Sequence, residues 1–384
     1  MIYLDHAAAT PLAESARRAM TPYLAEKFFN PSAAYLPAAE VRREYEAAKE
    51  RIAHVIGAKG ADLVITSGAT ESINLAFSLV PSSAETLISA VEHPAVRANA
   101  QRGAKYQIVQ VDANGRIDLA DFQAKLNKNT QFVSVCLASS ELGTVQPISD
   151  IARLIHAERQ RRALAGEATP LYFHCDASQG LGLMEVKVAR LGVDLLTINA
   201  AKIYGPKGVG ALYVAHRVPL RPQVLGGGQE MGLRSGTENV PAVMAFAAAI
   251  EEAAKHVSSE QRRLRQLKQQ LHQDLADLPN VRFLGHPKTQ LPNYLVLSLP
   301  GFDAERLIFA LEAQEVYLAT GSACSANKGI KSPALEAIGL NDAEIAGSLR
   351  ITLGKLNDSS NLAEAAKLIH AAVRAEQQRM QEQG

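Results

Sequence analysis

The sequence predicts an α/β protein in two parts: a large domain on a mostly parallel central sheet, and a smaller α+β domain at the C-terminal end. Three observations point there. Short apolar runs alternate with helix-periodic stretches between residues 38 and 200. Those runs lack polar alternation, as expected of strands covered on both faces. After Gly236 the pattern changes to long helical stretches, then to short strands mixed with helices.

The elements follow in order. Residues 38–56 place Val41, Tyr45, Ala48, Ile52 and Val55 at helical spacing, and Gly57 follows as a C-cap. Strands are read at LVIT (63–66), TLISAV (86–91), KYQIVQV (105–111), QFVSVCLAS (131–139), LYFHCDAS (171–178) and LLTINA (195–200). Residues 241–277 read as one or two long helices. Strands at VRFLG, NYLVLSLP and SLRITLG alternate with helices at 303–314 and 360–380. The expected division is a large domain over 14–250 and a small domain over 251–384, with residues 1–13 assigned to the small one. The basic stretch AERQRRALAGEATP (157–170) is expected as an exposed loop continuing a helix, open to a partner.

Composition narrows the function. The 384 residues are 47% hydrophobic and 21% charged, an ordinary globular balance. Lys and Arg number 40 against 39 Asp and Glu, a net charge of +1 that recruits neither nucleic acid nor an anionic membrane. A small-molecule partner is favoured. MIYLDHAAATPL has no basic region leading into an apolar core, and no run reaches the ~18 apolar residues of a membrane span, so a cytoplasmic location is expected. The three cysteines, Cys136, Cys175 and Cys324, are odd in number and widely spaced, which suits thiols in a reducing compartment.

Three stretches could carry chemistry. In SGATESINLAF (67–77), Gly68, Ala69 and Thr70 precede a helical pattern and would offer backbone N–H groups to a phosphate; a plain N-cap turn explains them equally well. In LYFHCDASQ, Asp176 ends an interior strand, where open α/β sheets bind ligands; a strand-end cap is the plainer reading, and no second cluster supports a metal site. In INAAKIYGPKG, Lys202 ends the next strand, while Lys207 lies in a Gly-Pro-Lys-Gly turn and reads as solvated. A lysine, a carboxylate and a helix N-terminus opening on one crevice are what a pyridoxal 5'-phosphate enzyme needs: an amine for the Schiff base, a charge for the pyridine nitrogen and a phosphate seat.

Nine motifs, in order and across nearly the whole chain, carry a resemblance. They are YLDHAAATP, SGATES, Glu92-His93-Pro94, ELGTVQPI, HCDASQ, AAKIYGPKGVGALYV, GGGQEMGLRSGT, TGSACS and LRITLG. Together they resemble the class V aminotransferase-like cysteine desulfurases, in the branch whose reactive cysteine sits in Gly-Ser-Ala-Cys. The resemblance implies the fold type I of pyridoxal-phosphate transferases, a homodimer, and conversion of L-cysteine to L-alanine with a persulfide on Cys324. Sulfur would then pass to an acceptor protein, either an iron–sulfur scaffold or a thiolation enzyme, without direct nucleic acid binding. It implies that Lys202 forms the Schiff base and moves the Cα proton, that Asp176 pairs with the pyridine nitrogen, and that Gln179 contacts the ring hydroxyl. His93 would stack on the ring, Ala69 and Thr70 would hold the phosphate with Thr237 of the neighbouring subunit, and Arg350 would grip the substrate carboxylate.

The chain also departs from the family. Asn199 and Ala201 stand where the family has Ser and His before the lysine, and Ser140 stands where it has Asn near the ring hydroxyl. Each lost contact is expected to cost about 1 to 3 kcal/mol if nothing replaces it, so weaker cofactor retention is expected. Two other readings stand beside the desulfurase: a related lyase or aminotransferase, such as one acting on selenocysteine, and a cofactor-poor scaffold.

Overall fold

The computed structural model describes residues 1–81, 84–103, 105–321 and 331–383. The chain starts with a short strand, β1 (Ile2–Tyr3). Beyond it the helix Leu36–Ile56 presents Val41, Tyr45, Ala48, Ile52 and Ile56 to the interior, and Gly57 ends it in the left-handed region at φ 72°.

Among the described residues the large sheet has seven strands: β2 (Leu63–Thr66), β3 (Glu85–Ser89), β4 (Lys105–Val109), β5 (Thr130–Ser134), β6 (Tyr172–Asp176), β7 (Leu195–Asn199) and β8 (Gly210–Val214). Their spatial order is β2-β8-β7-β6-β5-β3-β4. Strands β3 to β7 pair in parallel, while β8 runs antiparallel to both β7 and β2. That reversal follows from the turn between β7 and β8, where Tyr204 at φ 64° and Gly208 at φ 78° send the chain straight back without a crossover helix. Helices cover the sheet, and the apolar runs of β2, β3, β5, β6 and β7 are buried almost throughout, whereas β4, at the sheet edge, leaves Lys105 and Tyr106 exposed.

The smaller sheet is built from β9 (Arg282–Leu284), β10 (Tyr294–Ser298), β12 (Ala319–Thr320) and β13 (Ser348–Thr352), all antiparallel in the order β12-β13-β10-β9. Between them β11 (Val316–Tyr317) pairs in parallel with β1, so the N-terminus is stitched to this half of the molecule.

Residues 241–277, read as one or two helices, form one uninterrupted helix, Val240–Asp274. Its first part, through Ile250, packs into the core of the large sheet. Its second part, with Leu264, Leu267 and Leu271, packs into the core of the small sheet. The boundary expected near residue 250 therefore falls inside a helix.

The 157–170 stretch differs from the expectation of a loop. The helix Ile148–Leu164 runs through its first half. Arg162 is buried and donates to the carbonyls of Asn127, Thr130, Thr169 and Pro170. Arg159 pairs with Asp194, and Arg161 with Glu158 and Glu167. These guanidiniums are spent on the protein's own acceptors.

One polar cluster lies within the large core. Glu230 accepts from Tyr45 Oη at 2.5 Å, from Lys49 Nζ at 3.0 Å and from the backbone N–H of Ile65 at 2.8 Å. It joins the loop 226–237 to a helix and to strand β2. Replacing Lys49 by Met leaves the Glu230 carboxylate buried beside Tyr45 without its cation, and this variant is expected to lose about 3–5 kcal/mol of stability in urea denaturation.

Candidate functional site

The loops after the parallel strands converge. β3 leads to His93, β5 to Ser140, β6 ends at Asp176 with Gln179 just beyond, and β7 ends at Asn199 and leads to Lys202. All of these residues line one cleft of about 740 Å³, together with Ala69, Thr70 and, from the small sheet, Arg350. A crevice at the carboxyl ends of the strands is where an open sheet binds ligands.

The wall at Ser67–Glu71 is shaped by backbone. Gly68 precedes the helix Ala69–Phe77 at φ 147°, and no side chain caps that helix. A Cβ on Gly210 of β8 would meet the Gly68 backbone at 2.9 Å, so two glycines let this loop lie flat against the sheet. The uncapped N–H groups at the start of a nine-residue helix face a cleft. This is the donor set a phosphate requires.

Asp176 is buried at 7% exposure, and Ser178 donates to its Oδ1 from both N (3.0 Å) and Oγ (2.6 Å). Both bonds fall on one oxygen, which leaves Oδ2 able to accept from a ligand. Glu92 lies close enough to feel that charge. Burial pushes its carboxyl up to about 8, a bond from Cys136 N partly opposes this, and the Asp176 charge adds to the rise. Below that pH Glu92 is a neutral acid, and Asp176 carries the negative charge at the base of the cleft.

His93 caps the helix Pro94–Arg102, and its Nδ1 accepts from Ala95 N at 3.1 Å. The proton of the neutral ring therefore sits on Nε2. Burial holds the imidazole below its ordinary value; the Asp176 charge opposes that, and the Lys202 charge reinforces it.

Lys202 ends a 3-10 turn, Ala200–Lys202, and its Nζ donates to Ala8 O. Asn199 caps this turn, with its Oδ1 accepting from Ala201 N at 3.0 Å. The amide at the first departure from the family thus orients the lysine's own turn. Lys207, read as solvated, lies on the cleft wall beside Gly208 and donates to Thr10 O at 2.7 Å. It places a cation on the wall that also holds Ala201.

Gln179 donates to Ala7 O at 3.1 Å. Arg350 is 4% exposed; its Nη1 donates to Ser140 O at 2.9 Å and its Nη2 to Asp5 Oδ1 at 2.8 Å. Ser140 therefore contributes a backbone carbonyl to the arginine. Thr237 is exposed and does not line the cleft within the single chain. Cys324 lies outside the described residues. Cys136 and Cys175 are buried, and burial raises both thiols well above their ordinary range, which makes them poor nucleophiles. Among the described residues no His, Cys, Asp and Glu group could hold a metal ion.

A family profile described as Aminotransferase class-V matches residues 2–364. The chain belongs to the class-V aminotransferase family. It is 38% identical, over 94% of both chains, to the protein named cysteine desulfurase IscS 1 of Archaeoglobus fulgidus. Among solved structures it is similar to a NifS-like protein (29% identity, TM-score 0.87, covering 97% of this chain and 99% of the other). It is also similar to a structure titled SspA in complex with cysteine (28% identity, TM-score 0.79, covering 92% and 99%). Within the class-V aminotransferase family, this chain has the Asn199 side chain bonded to the Ala201 backbone and Lys207 on the cleft wall.

Strand ends pointed to Asp176 and Lys202, the resemblance pointed to the other wall residues, and neither gave Glu92 a place in the site; Lys207 is exposed as expected, while also bordering the cleft. The signal for Glu92 was an acid directly before His93 in an otherwise apolar stretch. His174, on the same strand face as Asp176, is wholly buried and bridges Ser134 Oγ and Thr197 Oγ1, each at 2.9 Å. Burial pushes its imidazole down from 6.5 to about 4. A folded state that binds this proton more weakly keeps its full stability above pH 6.5 and loses it as the pH falls toward about 4. Denaturation midpoints measured across that range are expected to fall with acidification, and less steeply in His174→Gln.

Proposed function

We infer that this protein is a pyridoxal-phosphate-dependent cysteine desulfurase that converts L-cysteine to L-alanine and leaves the sulfur as a persulfide on Cys324. The observation that carries this reading is the convergence of Lys202, Asp176 and the uncapped helix start at Ala69 and Thr70 on one cleft. The names of the relatives and the cysteine in the SspA structure's title agree with it.

The residues present fit the cofactor. Ala69 and Thr70 would hold its phosphate, with Thr237 of a second subunit; Lys202 would hold its carbonyl carbon; His93 would pack on the ring; Gln179, Ser140 and Asn199 would border it. Bound pyridoxal phosphate supplies an electron sink for the pair released when the substrate loses its Cα proton. Asp176, charged and fixed by Ser178, keeps the pyridine nitrogen protonated. The Lys202 amine takes the Cα proton, and Arg350 orients the substrate by its carboxylate as a two-pronged donor. The Cys324 thiolate attacks the substrate sulfur: the S–S bond forms, the C–S bond breaks, the β-carbon takes a proton, and the Lys202 ammonium returns its proton to Cα. L-cysteine and one thiol thus become L-alanine and one persulfide, with no external oxidant.

The partners follow from this reading. A persulfide needs an acceptor protein. Homodimer formation is supported by Phe28, at 70% exposure, with Tyr35, Leu36, Leu225 and Met231, all exposed apolar side chains near the loop that carries Thr237. No helix among the described residues is long and apolar enough to cross a membrane, and the balanced charge supports a cytoplasmic enzyme without nucleic acid.

The test is one assay series on the purified protein with added pyridoxal phosphate. Wild type is expected to show the visible absorption of lysine-bound cofactor and to form alanine from L-cysteine. Lys202→Ala is expected to lose both. Cys324→Ser is expected to keep the absorption and to lose turnover by at least about 100-fold, the scale of removing a nucleophile. Absorption without alanine formation in wild type would favour the aminotransferase reading.

A further inference from the structure

Arg234 belongs to the GGGQEMGLRSGT segment, but it does not line the cleft. Its Nε donates at 3.0 Å to Oε1 of Glu71, which does. The other oxygen of Glu71 accepts from Ser67 N at 2.7 Å. Glu71 therefore clasps the loop that forms the phosphate seat, one residue beyond Thr70. Burial opposes its ionisation, but bonds from Ser67 and the Arg234 guanidinium outweigh that and hold the carboxyl below its usual range, so it is charged.

A carboxylate on the wall of a phosphate seat is a liability. A phosphate dianion beside it meets like charge in a partly dry site, where repulsion is strong. The helix start offsets part of that charge. The rest falls to Arg234, which approaches Glu71 from outside the cleft. Its loop is held firmly: Glu230 is bonded to Tyr45, Lys49 and Ile65 N, Gly228 N donates to Ser235 Oγ, and Gly236 N donates to Gln229 Oε1. Glu230 and Met231 adopt φ values of 47° and 59°, a conformation the network sustains.

We propose that Arg234 is a positioning residue for the cofactor phosphate: by pairing with Glu71 it cancels a repulsive charge on the seat and keeps Glu71 fastened to Ser67. This rests on the reading that the seat at Ala69 and Thr70 takes the phosphate of pyridoxal phosphate. The role is specific to the phosphate, because Arg234 acts on the cleft wall through its bond to Glu71.

The test compares pyridoxal phosphate with pyridoxal, which lacks the phosphate, by absorbance titration of wild type, Arg234→Gln, Glu71→Gln and the double variant, with thermal melts alongside. Arg234→Gln is expected to weaken pyridoxal phosphate binding about tenfold and to leave pyridoxal within about twofold, the signature of one uncompensated charge. The double variant is expected to recover most of that loss, since no carboxylate is left to repel. Glu71→Gln alone is expected to bind pyridoxal phosphate at least as tightly as wild type. Should Arg234→Gln not fold, Arg234→Lys keeps the charge and is expected to keep the preference for the phosphate form. Equal weakening for both compounds overturns the inference, as does a double variant no better than Arg234→Gln or weaker binding by Glu71→Gln. Wild type binding neither compound overturns the functional reading and this inference with it, whereas equal affinity for both overturns only the phosphate seat and Arg234's role.

Discussion

The site depends on a short strap of backbone near the N-terminus. Residues 5–10 lie between the two halves of the molecule and hold the functional groups of both. Ala8 O receives Lys202, Ala7 O receives Gln179, and Thr10 O receives Lys207. On the other side Asp5 pairs with Arg350, and Ala7 N donates to Thr352 Oγ1. The Lys202 amine and the Arg350 guanidinium are thus registered against the same short segment, through its carbonyls and one carboxylate. Removing the strap would take part of the cleft wall with it and unfasten the cations beside it.

The charges around that strap are arranged so that few compete. Glu92 is neutral at ordinary pH, Glu71 is offset by Arg234, and Asp5 is offset by Arg350. Asp176 keeps an oxygen to spare at the end of β6, on the cleft wall. A pyridine nitrogen seeks that kind of unshared negative charge, while phosphate and substrate carboxylate need positive surroundings. Neutral His93, with its proton directed to Nε2, adds a donor without adding charge.

Much of this was legible in the sequence because strand ends and apolar runs are local signals. Lys202 and Asp176 end apolar runs, and the parallel sheet brings those ends together whatever the intervening helices do. Long-range effects were hidden. The antiparallel β8 depends on a left-handed Tyr204, a conformation that residue type does not announce. Lys207 is exposed, as its surface-like turn suggested; what the turn did not announce is the bond to Thr10, nearly two hundred residues earlier in the sequence, that fixes it beside the cleft. Asn199 was legible as a departure from the family; that its oxygen is committed to a turn two residues away was not. Among the arginines of 157–170, Arg162 read as part of a basic patch because its acceptors are mostly backbone carbonyls, which carry no sequence signature.

The helix Val240–Asp274 bears on how the cleft is reached. At 35 residues it is about 52 Å of continuous hydrogen-bonded rod, sunk at one end into the core of the large sheet and at the other into that of the small sheet. Swinging the two halves apart around residue 250 would break that rod in its middle, where nothing relieves the lost backbone bonds. The aperture of the cleft is therefore set like the gap of a caliper locked on its bar, and traffic through it is governed by side chains and loops at its rim.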